Sequence, residues 1–213
     1  MFEINSNHFR AANAEPWEQV GRTDYRLEID NGKKIIHVTG RPSSQRADWK
    51  DNLDFRIRSK TQKWFRGIRV HAGFLRQYLA VRGKLLDVCY EHPGYAIRVD
   101  GFSLGGSWTQ IFVQDVLHRW PDRDIQAIFY APGNPWRRLP RKYRGLLRRR
   151  VTFVIPWWDA VTWMRLIGFK RYGKDIRIGR IWRLWPKQHH PDQIIRALDE
   201  RFPLKEEQCV RAD

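Results

Sequence analysis

The stretch Tyr95-Ala96-Ile97-Arg98-Val99-Asp100-Gly101-Phe102-Ser103-Leu104-Gly105-Gly106 decides how the rest of the chain is read. Tyr95 to Val99 has the pattern of a strand and runs into Asp100-Gly101. Behind it Trp108, Ile111, Phe112, Val116 and Leu117 recur at helical spacing, which predicts a helix starting just after Gly105 and Gly106. Strand, tight turn and helix therefore bracket Ser103. A Gly-x-Ser-x-Gly pentapeptide alone is common, and its bland reading is a glycine-rich turn of purely structural use. The context supplies what an exposed serine nucleophile needs: an apolar strand entering, a strained turn, small residues that let strand and helix approach, and a helix leaving. The helix N-terminus also offers partial positive charge and the backbone N–H of Leu104 to a developing oxyanion.

Outward from this turn the chain alternates strands and helices. Upstream, Tyr25 to Ile29 and Lys34 to Val38 read as strands joined at the hairpin signal Asn31-Gly32, and Phe74 to about Cys89 reads as an amphipathic helix ending before Pro93. Downstream, Ile125 to Tyr130 and Val151 to Ile155 read as strands. Asp175 to Ile178 and Ile181 to Leu184 read as a short pair, and Ile194 to Phe202 as a final helix. The pattern predicts an α/β fold with a mostly parallel sheet flanked by helices and an antiparallel N-terminal hairpin. Without a low-complexity divide or an internal repeat, residues 1–213 are expected to form one domain, with a core over about 25–203.

Composition narrows the class. An apolar fraction of 42% with 14% aromatics suffices for a buried core, which argues against wholesale disorder. No uncharged apolar run reaches the length of a membrane span, and Met1 to Asn5 lacks the basic and apolar regions of a leader, so a cytoplasmic location is expected, with peripheral attachment to an anionic membrane left open. The two cysteines, Cys89 and Cys209, have no metal-ligand spacing, and Cys89 is expected to be a buried free thiol. A net charge of +17 points to anionic lipid, nucleic acid, acidic glycan or an acidic protein as partner, without choosing among them.

A serine nucleophile needs a histidine to take its proton and a carboxylate to fix that histidine's tautomer. In strand–turn–helix frames of this kind both follow the serine, the acid first. Only His118, His189 and His190 follow Ser103, and His118 lies too far along the departing helix to return. The base is therefore His190 or His189. Asp159, directly after the strand Val151 to Ile155, is the best-placed acid, with Asp175 and Asp192 in reserve.

The segment Arg69-Val70-His71-Ala72-Gly73-Phe74, followed by Tyr95 to Gly106, resembles the class 3 lipases, the fungal triacylglycerol lipase type of α/β-hydrolase. In that family an H-x-G-F segment, a helix and a G-H-S-L-G-G elbow occur in this order. Ile35 to Arg41 and Asp48 to Leu53 look like its oxyanion strand-loop and D-W segment. Ala131 to Asn134 and Ile155 to Val161 look like its G-x-P-x-x-G-N and aspartate segments. The resemblance implies carboxylic ester hydrolysis through an acyl-enzyme. Ser103 would be the nucleophile and Asp159 the orienting acid. His190, with His189 as alternative, would be the base, and the backbone N–H groups of Leu104 and Arg41 the oxyanion donors. No metal or organic cofactor is implied. Phe102 stands where the family usually has histidine, and residues 41 to 60 are too polar and charged for an apolar lid, which favours an esterase, or a lipase acting on smaller or anionic substrates.

One segment stands outside this frame. Arg137, Arg138, Arg141, Lys142, Arg144, Arg148, Arg149 and Arg150 crowd one surface stretch flanked by Trp136, Trp157, Trp158 and Trp163. Such a patch suits an anionic membrane, or nucleic acid through phosphates and stacked bases. It is equally a solvated basic connection over buried tryptophans. Two other function classes stay open: a silent hydrolase-fold module that binds through this basic face, and an acyltransferase or thioesterase sharing the triad.

Overall fold

The computed structural model describes residues 4–41, 57–58, 67–157, 168–179 and 190–203. In chain order the elements are α1 (Ser6–Ala12), β1 (Glu18–Val20), β2 (Thr23–Asp30), β3 (Ile35–Gly40), β4 (Ile57–Arg58), β5 (Arg69–His71), α2 (Ala72–Glu91) and β6 (Ala96–Phe102). There follow α3 (Ser103–Arg119), β7 (Ile125–Tyr130), β8 (Trp136–Arg138), α4 (Arg141–Arg150), β9 (Val151–Pro156), β10 (Lys174–Ile178) and α5 (Pro191–Arg201).

Seven strands form the main sheet in the order β1-β2-β3-β6-β7-β9-β10. The first three pair antiparallel, and β3, β6, β7, β9 and β10 run parallel. Parallel neighbours need crossovers, and helices α2, α3 and α4 supply them on one face of the sheet. On the other face α1 packs against α5. This is the α/β architecture that the alternation of patterns implied. The small antiparallel sheet β4-β5-β8 sits at the carboxyl edge of the parallel strands, because β5 feeds directly into α2 and β8 follows the end of β7.

Each face of the sheet has its own core. The larger one joins Val99 and Phe129 to Phe74, Tyr78, Trp108 and Phe112 of α2 and α3. The smaller one joins Phe102, Ile128 and Tyr130 to Phe9 of α1 and to Ile194 and Leu198 of α5. The described core thus reaches back to Phe9, well before residue 25, where the sequence pattern alone placed its start. Seven-residue α1 has too little apolar periodicity to stand out; burial of Phe9 and Ala12 and the Asn5 cap hold it in place.

Three expectations are adjusted. The helix after the serine starts at Ser103 itself, not after Gly106, because the glycines serve close packing within the first turn. The strand at Asp175 to Ile178 joins the main sheet parallel to β9; its expected partner, Ile181 to Leu184, lies outside the described residues. The basic segment is not a plain connection but strand β8 and a ten-residue helix, α4, which buries Tyr143 and Leu147. Trp136 beneath it is buried, as that reading required, but Trp157 is exposed, and Trp158 and Trp163 lie outside the described residues.

Candidate active site

Ser103 sits at the junction of β6 and α3 with φ +53°, in the left-handed region that a β-carbon normally disfavours. Such a backbone costs about 1–3 kcal/mol and persists only where its surroundings fix it. Two glycines do so. A Cβ on Gly105 would lie 2.1 Å from the Gly40 carbonyl oxygen at the end of β3, and one on Gly101 would lie 2.7 Å from the Gly106 nitrogen. Strand β6, the first turn of α3 and the end of β3 are therefore in backbone contact. The sequence G-F-S-L-G-G is what allows the serine to be raised above the carboxyl edge of the sheet.

Polar bonds complete the turn. The Ser107 hydroxyl donates to the Ser103 carbonyl at 2.8 Å and accepts from the Gly133 N–H at 2.7 Å, which ties the first turn of α3 to the loop after β7. Gln110 Nε2 donates to the carbonyls of Gly106 and Gly133 at 2.9 and 3.0 Å. No side chain caps the N-terminus of α3, so its first N–H groups, Leu104 among them, keep the partial positive charge of a 17-residue helix. Ser103 itself is half-buried.

The remaining expected residues are placed as follows. Asp159 and His189 lie outside the described residues. His190 caps α5: its Nδ1 accepts from the Asp192 N–H at 3.4 Å and stands 3.3 Å from the Asp192 carboxylate, with two-thirds of the side chain exposed. Arg41 follows β3 at the expected place. Its backbone N–H donates to the Asp24 carbonyl at 3.1 Å, because the β2–β3 ladder runs one residue past Gly40, so in this arrangement it does not face an oxyanion. His118, set aside on position, ends α3 hydrogen-bonded to the Tyr143 hydroxyl. His71 is buried and caps α2 through Phe74, whose ring it stacks on at 4.1 Å.

A polar cluster that the sequence did not mark lies behind the serine. On the face of β6 opposite α3, Asp100 is buried, with Oδ2 3.8 Å from His8 Nε2 of α1, and His8 Nδ1 is 2.7 Å from the Tyr130 hydroxyl. Burial pushes the Asp100 carboxyl up to about 7, against the lowering effect of a Thr39 hydrogen bond. Burial, and then the nearby His37, push His8 down to about 4. The cost of burying either charge outweighs the attraction at 3.8 Å, and both groups are neutral between these values. An acid three residues before Ser103, in a strand whose other charged residue, Arg98, pairs with Asp124, was the legible signal.

A concavity of about 820 Å³ opens at the amino edge of the sheet between Tyr90, Pro93, Trp120 and Arg123. It is the end away from Ser103. Its one thiol, Cys89, is a buried free cysteine pushed up to about 12 by burial, and it stays protonated at neutral pH.

A serine held left-handed between the central strand of a parallel sheet and the helix behind it, with helices on both faces, defines the α/β-hydrolase class. Residues 37–147, just over half of the chain, match the family described as "Lipase (class 3)", and the chain belongs to that family. It is 31% identical over 110 residues to a lipase of Rhizomucor miehei, a match covering 49% of this chain and 30% of that protein. The chain thus aligns with under a third of that relative's length. Among solved structures it resembles a fungal lipase in complex with an inhibitor, at TM-score 0.61 and 20% identity, over 78% of this chain and 66% of the other. It also resembles a triacylglycerol lipase whose catalytic centre is a serine protease triad, at TM-score 0.60 and 21% identity, over 74% of this chain and 62% of that one.

Proposed function

We propose that the protein is a serine carboxylic ester hydrolase that cleaves acyl esters of the acylglycerol or phospholipid kind. The observation that carries this reading is the left-handed Ser103 between β6 and α3, a strained backbone that presents a hydroxyl at the carboxyl edge of the sheet. Family membership and the likeness to a triacylglycerol lipase with a serine protease triad support it.

In this reading Ser103 Oγ attacks the ester carbonyl carbon while His190, or His189, accepts its proton and Asp159 holds the imidazole. The Leu104 N–H and the uncapped N-terminus of α3 stabilise the oxyanion of the tetrahedral intermediate. That intermediate expels the alcohol, which takes the proton from the imidazolium, and leaves an acyl-serine. Water, deprotonated by the same histidine, then releases the carboxylic acid and restores Ser103.

The test is turnover of p-nitrophenyl esters of graded chain length by the protein and by Ser103→Ala, His190→Ala and His189→Ala. Ser103→Ala is expected to lower kcat by about 10³-fold or more, and the histidine whose loss costs as much is the base. No turnover on any ester, together with no labelling of Ser103 by a fluorophosphonate, overturns the proposal.

A further inference from the structure

Between Asp124 and Asp159 the chain carries eight basic residues and no acidic one. The fold sorts them. Arg144 bonds the Leu139 carbonyl and Arg150 that of Arg123, so these two brace the helix. Arg141, Lys142, Arg148 and Arg149 are exposed on the outer side of α4, opposite buried Tyr143 and Leu147, and among the described residues no carboxylate pairs with them.

The first turn of the helix holds Arg141 and Lys142 and no acid, against the helix dipole, whereas Arg148, Arg149 and Arg150 in the last turn suit it; throughout, like charges repeat at spacings of three, four and seven residues and repel. The stripe continues past the helix: Arg138 of β8 lies directly across from Arg69 of β5, both exposed, a cross-strand pairing of like charges. Self-repulsion sustained over three elements is relieved by a polyanion.

Position and shape favour one kind. Helix α4 descends the side of the molecule from the small sheet β4-β5-β8, which lies on the carboxyl edge together with Ser103. On that same edge, directly after β9, Trp157 is exposed at 44% with the Arg177 guanidinium 5.7 Å from its ring, an amphipathic pair suited to a headgroup layer. The outer side of α4 shows no aromatic ring on which a base could stack.

We propose that the outer side of α4, extended by Arg138 and Arg69, docks the protein on a bilayer rich in anionic phospholipid, with the Ser103 edge adjoining the lipid. The lipid-facing sense of this docking rests on the ester hydrolase reading; the anion-binding surface does not.

The experiment is vesicle co-sedimentation of the full chain. It uses ether-linked phosphatidylcholine, alone or mixed with phosphatidylglycerol, so that no hydrolysis alters the surface. R141Q/K142Q/R148Q/R149Q is compared with R10Q/R22Q/K33Q/R201Q, which removes the same four charges from exposed positions elsewhere. The expected result is binding only to the anionic vesicles, weakened at least about tenfold by the α4 variant and about twofold or less by the other, and reversed by salt. Equal loss in both variants, or no binding to anionic vesicles, overturns the proposal. So does tighter binding of an oligonucleotide that depends on the same four side chains. Failure here with ester turnover intact removes the docking surface alone; binding without turnover removes the hydrolase reading and leaves the surface.

Discussion

The two faces of strand β6 are built on different principles. Towards α3, Val99 and Gly101 meet glycine backbone and apolar side chains, and the contact is steric: Gly105 against Gly40, Gly101 against Gly106. Towards α1, Asp100 and Phe102 meet His8, Tyr130 and Phe9, and the contact mixes aromatic packing with a buried carboxyl and a half-buried imidazole. One face fixes the geometry of Ser103 through atoms that do not respond to pH. The other supports it through groups whose protonation can change.

The sharpest way to break this contrast is Gly105→Ala. The added carbon would meet backbone oxygens of Gly40 and Arg41 at 2.1 and 2.5 Å, which cannot rotate away, so a loss of more than about 4 kcal/mol is expected in urea unfolding, or no soluble protein. Near-parent stability would show that the close approach is not needed. On the opposite face, Phe102→Ala removes a buried ring packed edge-on against Phe9 at 5.5 Å and should cost about 3 kcal/mol. A cost under about 1 kcal/mol would mean that α1 is not seated there.

The smaller effects concern pH. Folded Asp100 keeps its proton up to about 7, above the 3.8 of a free aspartate, so its contribution to stability declines as pH rises through that window. Folded His8 refuses a proton down to about 4, whereas unfolded His8 takes one below 6.5, so its contribution declines as pH falls. Between about 4 and 6.5 each state holds one proton on this pair, on Asp100 when folded and on His8 when unfolded, and the two slopes cancel. Single variants uncover them. His8→Asn should gain stability on acidification from pH 7 to 4, and Asp100→Asn should lose it below pH 6.5, each by up to about 1.4 kcal/mol per pH unit. Identical pH profiles for parent and both variants in chemical denaturation would dismiss the neutral pair.

Much of the fold was legible because strands β2, β3, β6, β7 and β9 and helix α2 bury residues at spacings that local pattern preserves. Ser103 was legible because its turn needs glycines at set places. The pattern failed where tertiary contact decides. Gly105 and Gly106 were placed just before the helix yet lie inside α3, while the close approach of strand and helix expected of them is present. Helix α1 was missed because seven residues hold little periodicity. Helix α4 was hidden by its arginines, although Leu139, Tyr143 and Leu147, four residues apart and all buried, were a readable stripe. Arg41 was assigned by analogy of position, and the ladder bond to Asp24 could be seen only once β2 and β3 were paired. Of the expected triad, Asp159 and His189 are outside the described residues and His190 faces Asp192.

Ser107 bears on how this protein would behave towards a covalent probe. It is a second hydroxyl one helical turn behind Ser103, almost wholly buried, with its proton given to the Ser103 carbonyl and a lone pair taken by the Gly133 N–H. A serine so engaged does not compete for an electrophile. Modification at the turn should therefore be monofunctional: mass spectrometry after exhaustive fluorophosphonate treatment would register one adduct there, at position 103, and active-site titration would count molecules one for one.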